Sequence, residues 1–178
     1  MALLLFDQAN MAARAQPVLD RLPMMAGEAI QVQRKPGLRD PHGAVHAGSF
    51  LRERRIAFDC SQEEFGRVLV HELFHFVWLR LGNLVRRSYE ALLRAEFEAR
   101  ARGELGWSSE WRKHRLHPDD LRRRSRRWRE YCCESFCDSA AAFYSGVRRH
   151  EEFTLASRFR QRRRQWFANL TASRQLSI

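Results

Sequence analysis

Along the first sixty residues, hydrophobic and polar positions alternate in short runs, and beyond them the spacing becomes helical. The apolar run Met1–Phe6 stops at Asp7 and predicts the entry to a first helix. That helix covers residues 9–26 and is cut into two short pieces by Pro17 and Pro23. Residues 29–33 alternate and end at Lys35-Pro36-Gly37, which predicts a strand and a turn. Residues 38–44, with Pro41 and Gly43, read as loop. Residues 45–51 and 54–58 read as second and third strands, and strands so close in sequence suggest a small, mostly antiparallel sheet. Ser61 followed by Glu64 has the form of a capping box, opening an apolar helix that stops near Gly82-Asn83. A charged amphipathic helix over 84–102, a loop over 103–109 and a long helix from Pro118 to Gly146 follow, then a basic helical stretch to about Leu170. With no repeat and no low-complexity linker, the expectation is one α+β domain over 1–178, with 148–178 as a basic C-terminal helical extension.

Within the first apolar helix, residues 68–79 are hydrophobic on every side except at His71, Glu72 and His75. A helix that is apolar all round is buried, and a buried charge is costly unless it is paired or binds a metal. Residues four apart share a face, so His71 and His75 can hold one ion between them, while Glu72 on the adjacent face can reach a water on it. This is the H-E-x-x-H arrangement of two zinc ligands and a general base.

A third ligand has to come from elsewhere. The stretch 131–145 follows an arginine-rich run, contains no basic residue, and has Glu134 and Asp138 as its only carboxylates, again four apart. Small residues beside them (Ala141, Ala142 and Ser145) permit close helix approach. The economical reading is that the two helices meet, with Glu134 as third zinc ligand and Asp138 orienting a ligand imidazole. A rival uses Cys133 and Cys137 with His71 and His75 as a closed structural zinc site. The two later pairs lie about 100° apart around their helix, so the expectation is that only one of them faces the histidines.

Charge changes the picture less. The formal net charge is +11, almost all of it arginine. Basic residues recur at 52–55, 122–129 and 158–164 among aromatic residues, the pattern of solvated helix faces. A nucleic-acid surface built from Arg158, Arg160, Arg162, Arg163 and Arg164 near Trp166 is the less favoured alternative. No run approaches the roughly 20 apolar residues of a membrane span, and the N-terminal run is too short for an export signal. The reading is therefore of a cytoplasmic protein without a membrane partner, its four cysteines not forming a disulfide framework.

On His71-Glu72-Leu73-Phe74-His75 and Glu134-Ser135-Phe136-Cys137-Asp138 the chain resembles the gluzincins, the zinc metallopeptidases of thermolysin type. The resemblance covers the active-site core and suggests a minimal zincin-like protein. It implies zinc held by His71, His75 and Glu134, Glu72 as catalytic base, Asp138 supporting His71, and an edge strand, expected at 54–58, against which a peptide or protein substrate would lie. The separation from His75 to Glu134 is longer than the thermolysin pattern, which would select Glu96 or Glu98. Transition-state stabilisation needs a further electrophile, for which Tyr144, His150, His114 and His117 are the candidates.

Overall fold

The computed structural model describes residues 3–40 and 43–178. It is a mixed α and β structure with seven helices and a small mixed sheet among those residues. The apolar start is a strand, β1 (Leu4–Phe6), rather than the entry to a helix, and Met1 and Ala2 lie outside the described residues. Helix α1 (Ala9–Leu19) runs through Pro17 without interruption. Pro17 sits in its last turn, where the missing N–H removes a single bond. Pro23 disfavours helix at the residue before it, and the chain continues as β2 (Met25–Ala26) instead of a second helical piece.

The other strands are β3 (Ile30–Arg34), β4 (Arg39–Asp40), β5 (Gly43–Ala44), β6 (Ala47–Phe50) and β7 (Arg55–Phe58). The stretch read as loop over 38–44 contains the antiparallel pair β4–β5, with Pro41 and His42 outside the described residues. The main sheet has the order β1-β3-β7-β6. Its β1–β3 and β3–β7 pairs are parallel and only β6–β7 is antiparallel, so the sheet is mixed rather than mostly antiparallel. The cause is topological. Helix α1 carries the chain back between β1 and β3, and β6 supplies the return run before β7. β7 is therefore interior, with Ile56, Ala57 and Phe58 buried, and the sheet's edges are β1 and β6, not 54–58.

Helix α2 (Phe65–Arg80) begins after Ser61 Oγ accepts from the Glu64 amide at 3.4 Å. Leu69, Val70, Leu73, Phe74, Phe76 and Val77 are all buried, as its all-round apolar sequence requires. Helix α3 (Asn83–Glu98) follows, and then, inside what reads as loop, α4 (Trp107–Lys113). The long helix expected over 118–146 is two: α5 (Pro118–Arg123) and α6 (Arg126–Tyr144). Arg124 adopts a left-handed conformation (φ 47°), and Ser125 caps α6 by accepting from the Trp128 amide at 3.3 Å. α6 packs against α2 through Phe136, whose ring lies 5.7 Å from Phe74 and 5.1 Å from Trp78. The basic C-terminal stretch is packed into the fold. Helix α7 (Ser157–Ser173) buries Phe159, Phe167 and Leu170, and β8 (Leu176–Ser177) pairs in parallel with β2. No helix among the described residues is long and apolar enough to cross a membrane.

Behind α6, on the side of α3 and α7, sits a buried ionic cluster. Arg163 of α7 is fully buried and bonds Glu96 (2.6 Å), Glu104 (2.7 Å) and the Ser135 hydroxyl (2.9 Å). Glu104 also accepts from Tyr131 Oη (2.6 Å) and pairs with Lys113 Nζ (2.9 Å). Burial pushes the Glu104 carboxyl up, but Arg163 and Lys113 outweigh it and bring it down to about 2. Two carboxylates face two cations, so the cluster carries no net charge. Replacing Arg163 by alanine would leave Glu96 and Glu104 buried with too little positive charge. The expected loss is about 3–5 kcal/mol, against less than about 0.5 kcal/mol for Arg162→Ala on the exposed face, measured by denaturant unfolding.

Candidate metal centre

His71 and His75 project from successive turns of α2, and their Nε2 atoms are 3.2 Å apart. Across from them, on α6, Glu134 Oε2 is 3.4 Å from His71 Nε2 and 3.9 Å from His75 Nε2. Zinc bound tetrahedrally at 2.0–2.1 Å would separate its ligand atoms by about 3.4 Å, so these three donors are spaced for one ion. Glu96 and Glu98, the alternatives for third ligand, stand elsewhere: Glu96 is bonded to Arg163, and Glu98 is exposed.

Each donor is held from behind. Asp138 Oδ1 lies 2.8 Å from His71 Nδ1, which puts the proton on Nδ1 and leaves Nε2 free as a donor atom. The other Asp138 oxygen accepts from the Ser109 amide at 2.9 Å. Glu134 accepts from Ser108 Oγ (2.5 Å) and pairs with Arg112 Nη2 (3.2 Å), and Arg112 is itself anchored on the Ser108 carbonyl (2.9 Å). All three of these contacts come from α4, the helix missing from the sequence reading. At seven residues it is too short for periodicity to reveal. Ser108 and Arg112, four apart, are the only signal it carries, and Gly106 explains where it starts. A side-chain carbon at Gly106 would overlap the Asp138 carboxylate, so only glycine lets α4 approach so closely.

The cysteine pair and the acidic pair were expected to exclude each other, and they do not. Cys133 Sγ lies 3.5 Å from His75 Nδ1, while Glu134 stands at the Nε2 edge of the same ring. An imidazole has two nitrogens on different edges, so helix faces about 100° apart can both reach it. His75, Cys133 and Cys137 thus form a second group with ligand atoms within 4.8 Å of one another. His71 takes no part in it, its Nδ1 being engaged by Asp138. Hydrogen bonding from Cys137, and then from His75, outweighs burial and brings the Cys133 thiol down to about 6.

Glu72 is nearly buried, and Ser49 Oγ donates to its Oε2 (2.5 Å). Ser49 belongs to β6, so the edge strand touches the candidate base directly. The candidates for a second electrophile lie away from the donors. Tyr144 is ten residues past Glu134, about 15 Å along α6, and stacks on Phe74. His150 bonds Glu64 (3.0 Å), about 10 Å along α2 from His71. The His114 side chain is 78% exposed beside Glu110, and His117 stands at the start of α5. The cation at the donor set is Arg112.

Comparison with known protein families, with curated proteins and with solved structures finds no match.

In the metal-free protein, burial opposes a charged imidazole at His75, but Cys133 and Glu134 raise its pKa to about 9. Burial is likewise outweighed at His71, by Asp138 and then Glu134, and its pKa lies well above the usual range. A metal ion must therefore displace protons at neutral pH. Apparent zinc affinity is expected to rise by about one decade per pH unit for each proton displaced, up to about pH 9. Metal-free stability runs the other way. A pKa raised by folding adds stability that is complete below the ordinary value of 6.5 and lost as pH climbs through about 9. Zinc titrations and unfolding curves from about pH 6 to 9 check both, and metal-free stability that rises with pH over that range would contradict the assignment. Gly106→Ala, by displacing Asp138, is expected to weaken zinc binding roughly 10- to 100-fold in the same titration.

Proposed function

We propose that this protein is a zinc-dependent hydrolase of peptide bonds with a minimal zincin-like architecture. The observation that carries the proposal is the His71–His75–Glu134 donor set, spaced for one ion, with Asp138 behind His71 and Glu72 on the neighbouring face of the same helix. Three protein ligands and an open position are the mark of catalytic rather than structural zinc. Bound there, zinc would supply Lewis-acid polarisation of a carbonyl and a lowered pKa for water.

The chain's own groups supply the rest. Glu72 takes a proton from the attacking water at its carboxylate and returns it to the leaving amine, Ser49 fixing one of its oxygens meanwhile. Strand β6, at the edge of the main sheet, offers backbone groups to an extended peptide next to that base. Arg112 places positive charge beside Glu134, where negative charge develops on the substrate oxygen. Asp138 holds His71 in one tautomer and one orientation, so the donors need little rearrangement to bind.

A second reading places the metal on His75, Cys133 and Cys137 instead, at the other nitrogen of His75 and without His71 or Glu134 among its ligands. Zinc content separates the two. Under the hydrolase reading the wild-type protein holds about one zinc, Glu134→Ala loses it and Cys133→Ala keeps it. The reverse pattern would establish the cysteine site and remove the case for a peptidase. Glu72→Gln is expected to keep its zinc and lose roughly 100- to 10,000-fold in hydrolysis of unfolded protein substrates.

A further inference from the structure

The sequence's positive charge is spread over helix faces, but at one place it converges. A cavity of about 420 Å³ is lined by Arg21, just beyond α1, by Arg148 from the α6–α7 connection, and by Arg160 and Arg164, one turn apart on α7. Among the described residues none of the four forms an ion pair, and no carboxylate lines the cavity. Other arginines of this protein do find carboxylates: Arg67 with Glu152, Arg124 with Glu90, Arg163 with Glu96. Arg21, Arg148 and Arg164 are exposed and Arg160 is half-buried, so the four guanidinium groups ring a hollow open to solvent, and their summed positive potential attracts an anion into it.

The hollow is also built. Gly146 turns the chain there with φ 86°, and a side-chain carbon on it would press against the Arg21 guanidinium at 3.0 Å. Phe143 and Phe153 contribute an apolar wall, and the Arg164 guanidinium lies over the Phe143 ring, 4.8 Å from its centre. Guanidinium forks match phosphate oxygens in pairs, and aromatic walls accept a flat ring. The volume lies at the small end of ligand pockets. We propose that this cavity binds an organic phosphate of nucleotide size, its phosphates on the arginines and its ring against the phenylalanines. The site is separate from the metal centre: Phe143 is nine residues past Glu134, about 13 Å along α6, and no metal donor lines the cavity. It also divides the basic stretch 158–164 differently from a nucleic-acid surface. Arg163 is buried in the ionic cluster, the half-buried Trp166 donates to Ser88, and Arg160 and Arg164 line the cavity.

Adenosine diphosphate, inorganic pyrophosphate and adenosine are suitable probes, titrated calorimetrically into the wild-type protein and into Arg160→Ala, Arg164→Ala and Arg162→Ala. The last removes the same charge from an exposed position of the same helix that does not line the cavity. The expected result is binding of adenosine diphosphate, weaker binding of pyrophosphate and none of adenosine. Arg160→Ala and Arg164→Ala should each lose about tenfold or more in affinity, with Arg162→Ala close to wild type. All three positions lie on the outer side of α7, and circular dichroism confirms that each variant is folded. The proposal is overturned by no binding of the diphosphate at about 1 mM, by an equal loss in Arg162→Ala, which marks diffuse attraction, or by binding that survives both Arg160→Ala and Arg164→Ala, which places the anion outside this cavity. Pyrophosphate binding as tightly as the diphosphate would remove the aromatic wall from the site and reject a nucleotide as its ligand.

Discussion

The guanidinium of Arg163 ties together, at one buried point, elements that the aromatic core also packs against one another. It draws Glu96 at the end of α3, Glu104 in the following loop and the Ser135 hydroxyl of α6 onto one point of α7. Ser135 is the neighbour of Glu134, and Lys113, which shares Glu104, ends the helix that carries Ser108 and Arg112. The ionic cluster at the back of α6 and the donor set at its front therefore rest on the same two helices, α4 and α6. A buried ion group of this kind adds little net stability compared with an apolar core, and its contribution lies in fixing one arrangement. Here that arrangement puts a serine hydroxyl and an arginine on Glu134, and a backbone amide on Asp138.

Much of the candidate site was legible because its residues contradict their surroundings. His71, Glu72 and His75 stand out of an apolar helix, and Glu134 and Asp138 out of a stretch without basic residues. The four-residue spacing is fixed by helix geometry, so facing pairs could be inferred without knowing how the helices cross. What surrounds those residues was less legible. The edge strand next to Glu72 is β6 and not 54–58, because β7 pairs in parallel with β3 on one side and antiparallel with β6 on the other, a parallel pairing that spacing along the chain does not announce. Ser49 of β6 is therefore the residue that meets Glu72, while β1, a short apolar run that periodicity cannot separate from the start of a helix, adds a second parallel pair on the far side of β3.

Two further features were visible only as weak signals. The break between α5 and α6 depends on a left-handed Arg124, a conformation that arginine's sequence preference does not announce. Arg163 lies on the stripe Phe159–Arg163–Phe167–Leu170, at helical spacing on the buried face of α7, so its burial could have been read from the periodicity. The surrounding arginine run masked it. The relation of cysteines to histidines was misjudged for a different reason. An imidazole offers two contact points, which helix faces alone do not reveal: the ring of His75 meets a thiol at one nitrogen and faces a carboxylate at the other.

The ionic cluster also sets an order of assembly. All three donor residues and Asp138 have left the ribosome before α7 does, yet the cation that fixes α6 against Glu96 and Glu104 arrives last, 59 residues after Glu104 and 67 after Glu96. Until then those two carboxylates have only Lys113 to oppose them, and water is their better solvent. A nascent chain therefore carries His71, His75 and Glu134 before the helix that fixes the back of α6 is in place. Under the zinc reading proposed above, the geometry that would select an ion is complete only when the last helix docks, a matter of timing as much as of ligand chemistry.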